Sequence, residues 1–147
     1  MSEKVMATAI KLYVDLKGTQ KLNKYLLQNR FDRRDRFHST IFYTGGVCSL
    51  NKEEILRLIS SYLPIEINPP YTLDIFGENE LVLRYGSSFI KRLNEIVGKE
   101  EKPITEYTTF NPHITIAKNF PKGKLEEITD FREKISFDSI EWKVIKK

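Results

Sequence analysis

A chain of 147 residues, 40% hydrophobic and 30% charged, with nine Phe and seven Tyr, is the size of one ordinary domain and too rich in apolar residues to be a disordered polymer. Its formal charge of +4 would attract phosphates but falls well short of a histone-like binder. The lone Cys48 rules out an internal disulfide, and no apolar run nears the roughly 18 residues of a membrane span, so a cytosolic protein is expected.

Thr8 to Leu16 alternates like a half-buried strand that Lys17-Gly18 ends. Thr19 is expected to cap a helix to about Arg30, with Leu22, Tyr25 and Leu26 on one side. Ser39 to Thr44 is β-branched and aromatic, as strands are, and Gly45-Gly46 breaks it. Asn51 starts a second helix carrying Ile55, Leu58, Ile59 and Tyr62, which Pro64 stops. Tyr71 to Phe76 and Glu80 to Tyr85 read as a hairpin around Gly77. Ser87 or Ser88 caps a third helix holding Ile90, Leu93, Ile96 and Val97, which Gly98 ends. Glu100 to Pro112 is a long irregular connection and a candidate functional loop. His113 to Ala117 resumes as a strand, a short helix lies near Lys124 to Phe131, and Ile135 to Ile145 closes the chain as a strand.

The second half roughly repeats the first, and no Gly/Ser/Pro linker divides them. Residues 1–147 therefore form one domain, expected to be a two-lobed α+β fold with a sheet lining a central cleft. The stretch Arg30 to Arg36 alternates in charge just before His38. It is either a solvated loop or a segment that steers anions. Cys48 reads as a small structural hydrophobe.

His38-Ser39-Thr40 and His113-Ile114-Thr115 contain every histidine in the chain. On a strand, residues i and i+2 share a face, so in each triplet the imidazole and the hydroxyl project together while Ser39 or Ile114 turns away. Both triplets continue with Ile. Cleaving a phosphodiester needs one group to take a proton from the nucleophile and another to deliver one to the leaving oxygen, and histidine titrates in the right range for both. Threonine hydroxyls can hold the non-bridging oxygens. Two histidines, with no His-Glu-x-x-His or Asp-x-Asp pattern, make a dedicated metal site hard to assemble, so neither metal nor cofactor is expected. Tyr43 and Phe110 lie near the triplets as stacking surfaces or as core. Trp142 reads as core filling or as a base-stacking ring, and Glu141 as an exposed charge or an acceptor for a base amino group.

With both triplets in hand, 75 positions apart, the chain resembles the 2H phosphoesterase superfamily over most of its length. That resemblance implies a pseudo-symmetric fold, with antiparallel sheets lining the cleft and helices outside. It also implies His38 and His113 as acid and base, with Thr40 and Thr115 holding phosphate. The short length and the Ile-Lys-Leu-Tyr-Val-Asp-Leu opening look most similar to phage anti-CBASS proteins, which cleave 3'-5' bonds of cyclic di- and trinucleotide messengers without metal and so block bacterial immunity. By that resemblance Tyr13, Glu141 and Trp142 bind substrate, in the cytoplasm of a bacterial host. The expected partner is a cyclic oligonucleotide or another small RNA-type substrate, bound by a monomer, with no DNA and no membrane. The same triplets also suit a 2',5'-oligoadenylate or RNA 2',3'-cyclic phosphate phosphodiesterase, or a nucleotide-binding module without turnover.

Overall fold

The computed structural model describes residues 6–44, 51–100 and 111–146. Among these the elements run β1 (Met6–Val14), α1 (Leu16–Gln28), β2 (His38–Thr44), α2 (Lys52–Ser60), β3 (Ile65–Ile67), β4 (Thr72–Phe76), β5 (Glu80–Arg84), α3 (Ser88–Glu100), β6 (His113–Ala117), a 3-10 helix (Lys122–Glu127) and β7 (Ile135–Lys146). The expected α+β class holds. The Gly45-Gly46 turn, Cys48, Phe110 and most of the connection expected from Glu100 to Pro112 lie outside the described residues.

Two antiparallel sheets result, one ordered β2-β1-β7-β3 and the other β4-β5-β6. They do not repeat one another strand for strand. The twelve residues of β7 pair with β1 along nearly its whole length, and the start of β7 also receives β3. β3 was not expected: Ile65-Glu66-Ile67 is too short to display a period, and only its pairing with Ile135 and Phe137 makes it a strand.

The first helix starts earlier than Thr19. Asp15 is the cap, and its Oδ1 accepts the Gly18 N–H at 2.7 Å. Lys17-Gly18 is thus the first turn of α1 and not a break, and Thr19 is buried inside it. A Cβ at Gly18 would stand 2.6 Å from Val14 Cγ1, so glycine is there for close approach between strand and helix. Asn51 caps α2 through the Glu54 N–H at 3.1 Å, and Ser87 Oγ accepts the Ile90 N–H at 3.1 Å before α3. α3 passes Gly98 and runs to Glu100, because an interior glycine costs a helix only about 1 kcal/mol against alanine. The helix expected near Lys124 to Phe131 is the shorter 3-10 turn, and Phe131 beyond it is buried.

Each sheet turns one face to a common core. Ile10, Leu12 and Ile41 come from the first, Leu81, Leu83 and Ile114 from the second, with Leu22 and Leu26 of α1 and Ile90, Leu93 and Val97 of α3 packed among them. α3 is tied to β2 by Asn94, whose Nδ2 donates to the Ile41 carbonyl at 2.7 Å. No helix among the described residues is long and apolar enough to cross a membrane.

Candidate functional site

The histidine and threonine of each triplet stand half buried on the opposite face of its sheet. On β2, His38 pairs with Tyr13 and Thr40 with Lys11, while Lys11 pairs on its other side with Glu141. Directly paired residues project to the same side, so His38, Thr40, Tyr13, Lys11 and Glu141 form one polar patch. Ser39 turns the other way, fully buried, with its hydroxyl 2.7 Å from that of Tyr85. On β6, His113 pairs with Arg84 and Thr115 with Val82, and Ile114 between them is buried in the core.

Both triplet strands bulge at the same place. Thr40 pairs with Lys11 and Phe42 with Ile10, leaving Ile41 as the extra residue. Thr115 pairs with Val82 and Ala117 with Leu81, leaving Ile116. A bulge re-aims the residues around it, and here each one follows immediately on the threonine.

β2 and β6 are edge strands of different sheets, and they pack against each other. Arg34 joins them: its Nη1 donates to the Thr115 carbonyl at 3.3 Å, and its charge bears on the His38 ring. The backbone of Arg34 is held from α1, where Asn23 Oδ1 accepts its N–H at 2.8 Å and Asn23 Nδ2 donates to its carbonyl at 2.7 Å.

The two histidines sit in different settings. Burial first, then Lys11, Arg34 and Lys143, lowers the His38 pKa to about 4, with Glu141 opposing. Its imidazole is therefore neutral at neutral pH. His113 lies with Nδ1 2.8 Å from the Asn111 carbonyl. Since a carbonyl only accepts, Nδ1 carries hydrogen and Nε2 is the nitrogen left to meet a ligand. The Phe76 ring stands edge-on to His113, with centroids 4.7 Å apart. Arg84 beside it is paired to Asp74 at 3.2 Å.

Tyr13 is held on three sides. Its hydroxyl donates to Glu141 Oε1 at 2.7 Å, the Arg36 guanidinium lies 3.6 Å above its ring, and the His38 ring is 5.7 Å away. The bond from Tyr13, helped by Lys11, Lys143 and Arg36, pulls the Glu141 carboxyl below its ordinary value, although burial opposes this.

The structure therefore brings His38, Thr40, Tyr13 and Glu141 together on one sheet, and His113 with Thr115 on the strand packed against it. Trp142 is not among them. It pairs with Ile10 and packs against the core, because consecutive residues of a strand face opposite ways and Glu141 already takes the polar side. Tyr43 pairs with Ala9 on the polar face. The sequence reading missed Lys11, Lys143 and Phe76, and it left Arg34 and Arg36 unresolved between solvated loop and ligand steering. The signal for the two lysines was present, since each stands two residues from a named site residue on its strand, Lys11 from Tyr13 and Lys143 from Glu141.

Between them the two triplet strands and their neighbours offer a neutral imidazole, a second imidazole with one free nitrogen, two hydroxyls and a surplus of cations. That set can move protons at a phosphodiester and hold its oxygens. No group of three or more His, Cys, Asp or Glu able to hold a metal ion occurs among the described residues. No protein-family model and no curated relative matches the chain.

Proposed function

We propose that this chain is a metal-independent phosphodiesterase that opens 3'-5' bonds of cyclic di- and trinucleotides by paired histidine acid-base catalysis. The observation that carries the reading is Arg34. It reaches the carbonyl of one triplet's threonine while its charge acts on the other triplet's histidine, so the two His-x-Thr strands lie within one side chain of each other.

His38 is the base in this scheme. A neutral imidazole accepts the proton of the attacking hydroxyl, and the low pKa keeps it unprotonated and ready. His113 is the acid. As the imidazolium, with Nδ1–H donating to the Asn111 carbonyl, it delivers its Nε2 proton to the leaving oxygen as the phosphorus-oxygen bond breaks and is left as the neutral Nδ1–H form. Thr40 and Thr115 donate to the non-bridging oxygens, and Tyr13, braced by Arg36 and Glu141, offers an aromatic surface for a base. Catalysis without a metal rests on the presence of only two histidines in the whole chain.

The matched bulges at Ile41 and Ile116 support a two-lobed, pseudo-symmetric 2H phosphoesterase arrangement around a shared cleft. The biological role, blocking CBASS immunity in the cytoplasm of a bacterial host, rests on the resemblance of the triplets and the opening strand to phage anti-CBASS proteins. The test is incubation with cyclic dinucleotides, cyclic trinucleotides, 2',5'-oligoadenylate and 2',3'-cyclic mononucleotides in chelator, with chromatography of the products. Linear products from the cyclic oligonucleotides are expected. Turnover that requires added metal, or binding with no product from any of the panel, overturns the reading.

A further inference from the structure

Lys11 and Lys143 share the polar face of the first sheet with His38 and Thr40. Lys11 pairs with Thr40 on one side and Glu141 on the other, and Lys143 pairs with Ala9 one step along the same face. Burial, and after it the charge of Lys143, pulls the Lys11 pKa down, with Glu141 opposing. The ion pairs among the described residues, Lys21–Glu133, Arg84–Asp74, Arg132–Asp130 and Lys134–Glu66, include neither lysine. The one carboxylate between them, Glu141, is engaged by the Tyr13 hydroxyl. Lys11 and Lys143 are diagonal neighbours on this face, with Glu141 directly opposite Lys11, and an anion seated between the two ammonium groups relieves their repulsion.

The geometry points to a second phosphate subsite formed by Lys11, one strand over from Thr40, and Lys143, two strands over, which selects nucleotides carrying at least two phosphates over mononucleotides. This rests on the proposed function for the position of the first phosphate. Facing side chains on neighbouring strands stand about 5 Å apart, and a lysine adds its own reach, which together suit the next phosphate of an oligonucleotide whose first is held at Thr40. Glu141 keeps the local charge from becoming a general anion sink, so that position along the strand also matters. Lysine serves here as a point charge on a flexible stem and does not demand a fixed bidentate geometry.

The test compares cyclic di-AMP, with two phosphates, and 2',3'-cyclic AMP, with one, as calorimetric ligands. The hosts are a His113→Ala variant with the lysines intact and the same variant carrying K11Q and K143Q, with turnover followed in parallel in proteins that retain His113. Substituting both lysines is expected to weaken cyclic di-AMP binding about tenfold or more, as loss of hydrogen bonds to a charged group would, and to weaken cyclic AMP several-fold less. With both lysines intact, affinity for the dinucleotide should fall more steeply with salt than affinity for the mononucleotide, a measurement that needs no lysine variant. Equal losses for the two ligands, or parallel salt slopes, overturn the subsite. Differential binding without turnover removes the phosphodiesterase reading and keeps the subsite. Turnover with equal losses removes the subsite alone, and failure of both ligands to bind removes both readings.

Discussion

Ile41 and Ile116 are equivalent residues in different sheets: each directly follows the threonine of a His-x-Thr triplet, and each is the extra residue of a bulge. The two triplets are therefore matched in backbone geometry as well as in letters. A bulge adds twist and bends its strand, which turns the flanking histidine and threonine away from the flat course of the sheet. The two strands that carry these bulges pack against each other.

Replacing either histidine by alanine should abolish most turnover and spare binding. His38→Ala and His113→Ala are each expected to lower kcat by about 100-fold or more, the usual size of an acid-base contribution. Steady-state kinetics and calorimetry on the same preparations check it, and undiminished turnover in either variant would refute the assigned roles.

The pH dependence follows from His38. With its pKa held at about 4, the base loses activity only as pH falls toward that value, so kcat/KM should stay level on the acid side down to about pH 5. Arg34 is one of the cations that depress it. Arg34→Ala should therefore raise the pKa and move the acid limb upward in a pH-rate profile, and a downward move contradicts the assignment.

The same shift acts on stability. Unfolded histidine titrates near about 6.5, so between that value and about 4 the unfolded chain binds the proton and the folded His38 does not. Stability from this group is complete above the unfolded value and is lost as pH falls through the window. In denaturant titrations, His38→Gln should flatten the decline between pH 6.5 and pH 4. An unchanged slope shows that His38 is not the source.

Gly18→Ala tests the strand-helix junction. The added methyl would meet Val14 Cγ1 at 2.6 Å and Asp15 Oδ1 at 3.0 Å, one a core side chain and the other the helix cap. Overpacking of this kind costs about 1–3 kcal/mol. Thermal melts should show a clearly lowered Tm, and a neutral outcome means that α1 shifts to make room.

Tyr13→Phe separates ring from hydroxyl. The variant keeps the surface under Arg36 but releases Glu141, whereas Tyr13→Ala removes both. Ligand affinity should fall more in the alanine variant, since base-aromatic stacking contributes about 1–3 kcal/mol. Equal losses in the two would assign the effect to the hydroxyl.

The period-two alternation of the chain determined the strands that carry the triplets, and with them which residues stand on the polar side, since side-chain direction along a strand is a local property. It even held the answer for Trp142: next to Glu141 on a strand, the two cannot face the same ligand. What local pattern could not supply is partnership. That Ile65 to Ile67 is a strand depends on β7, and that Asp15 caps α1 depends on Gly18 fitting against Val14. Likewise, the charge around His38 comes from Lys11, Arg34 and Lys143, residues that only sheet register and the Asn23 clamp bring to its ring. Such contacts join positions far apart in the chain, and the free energy that fixes them belongs to the packed core as a whole, so the tertiary structure alone decided them.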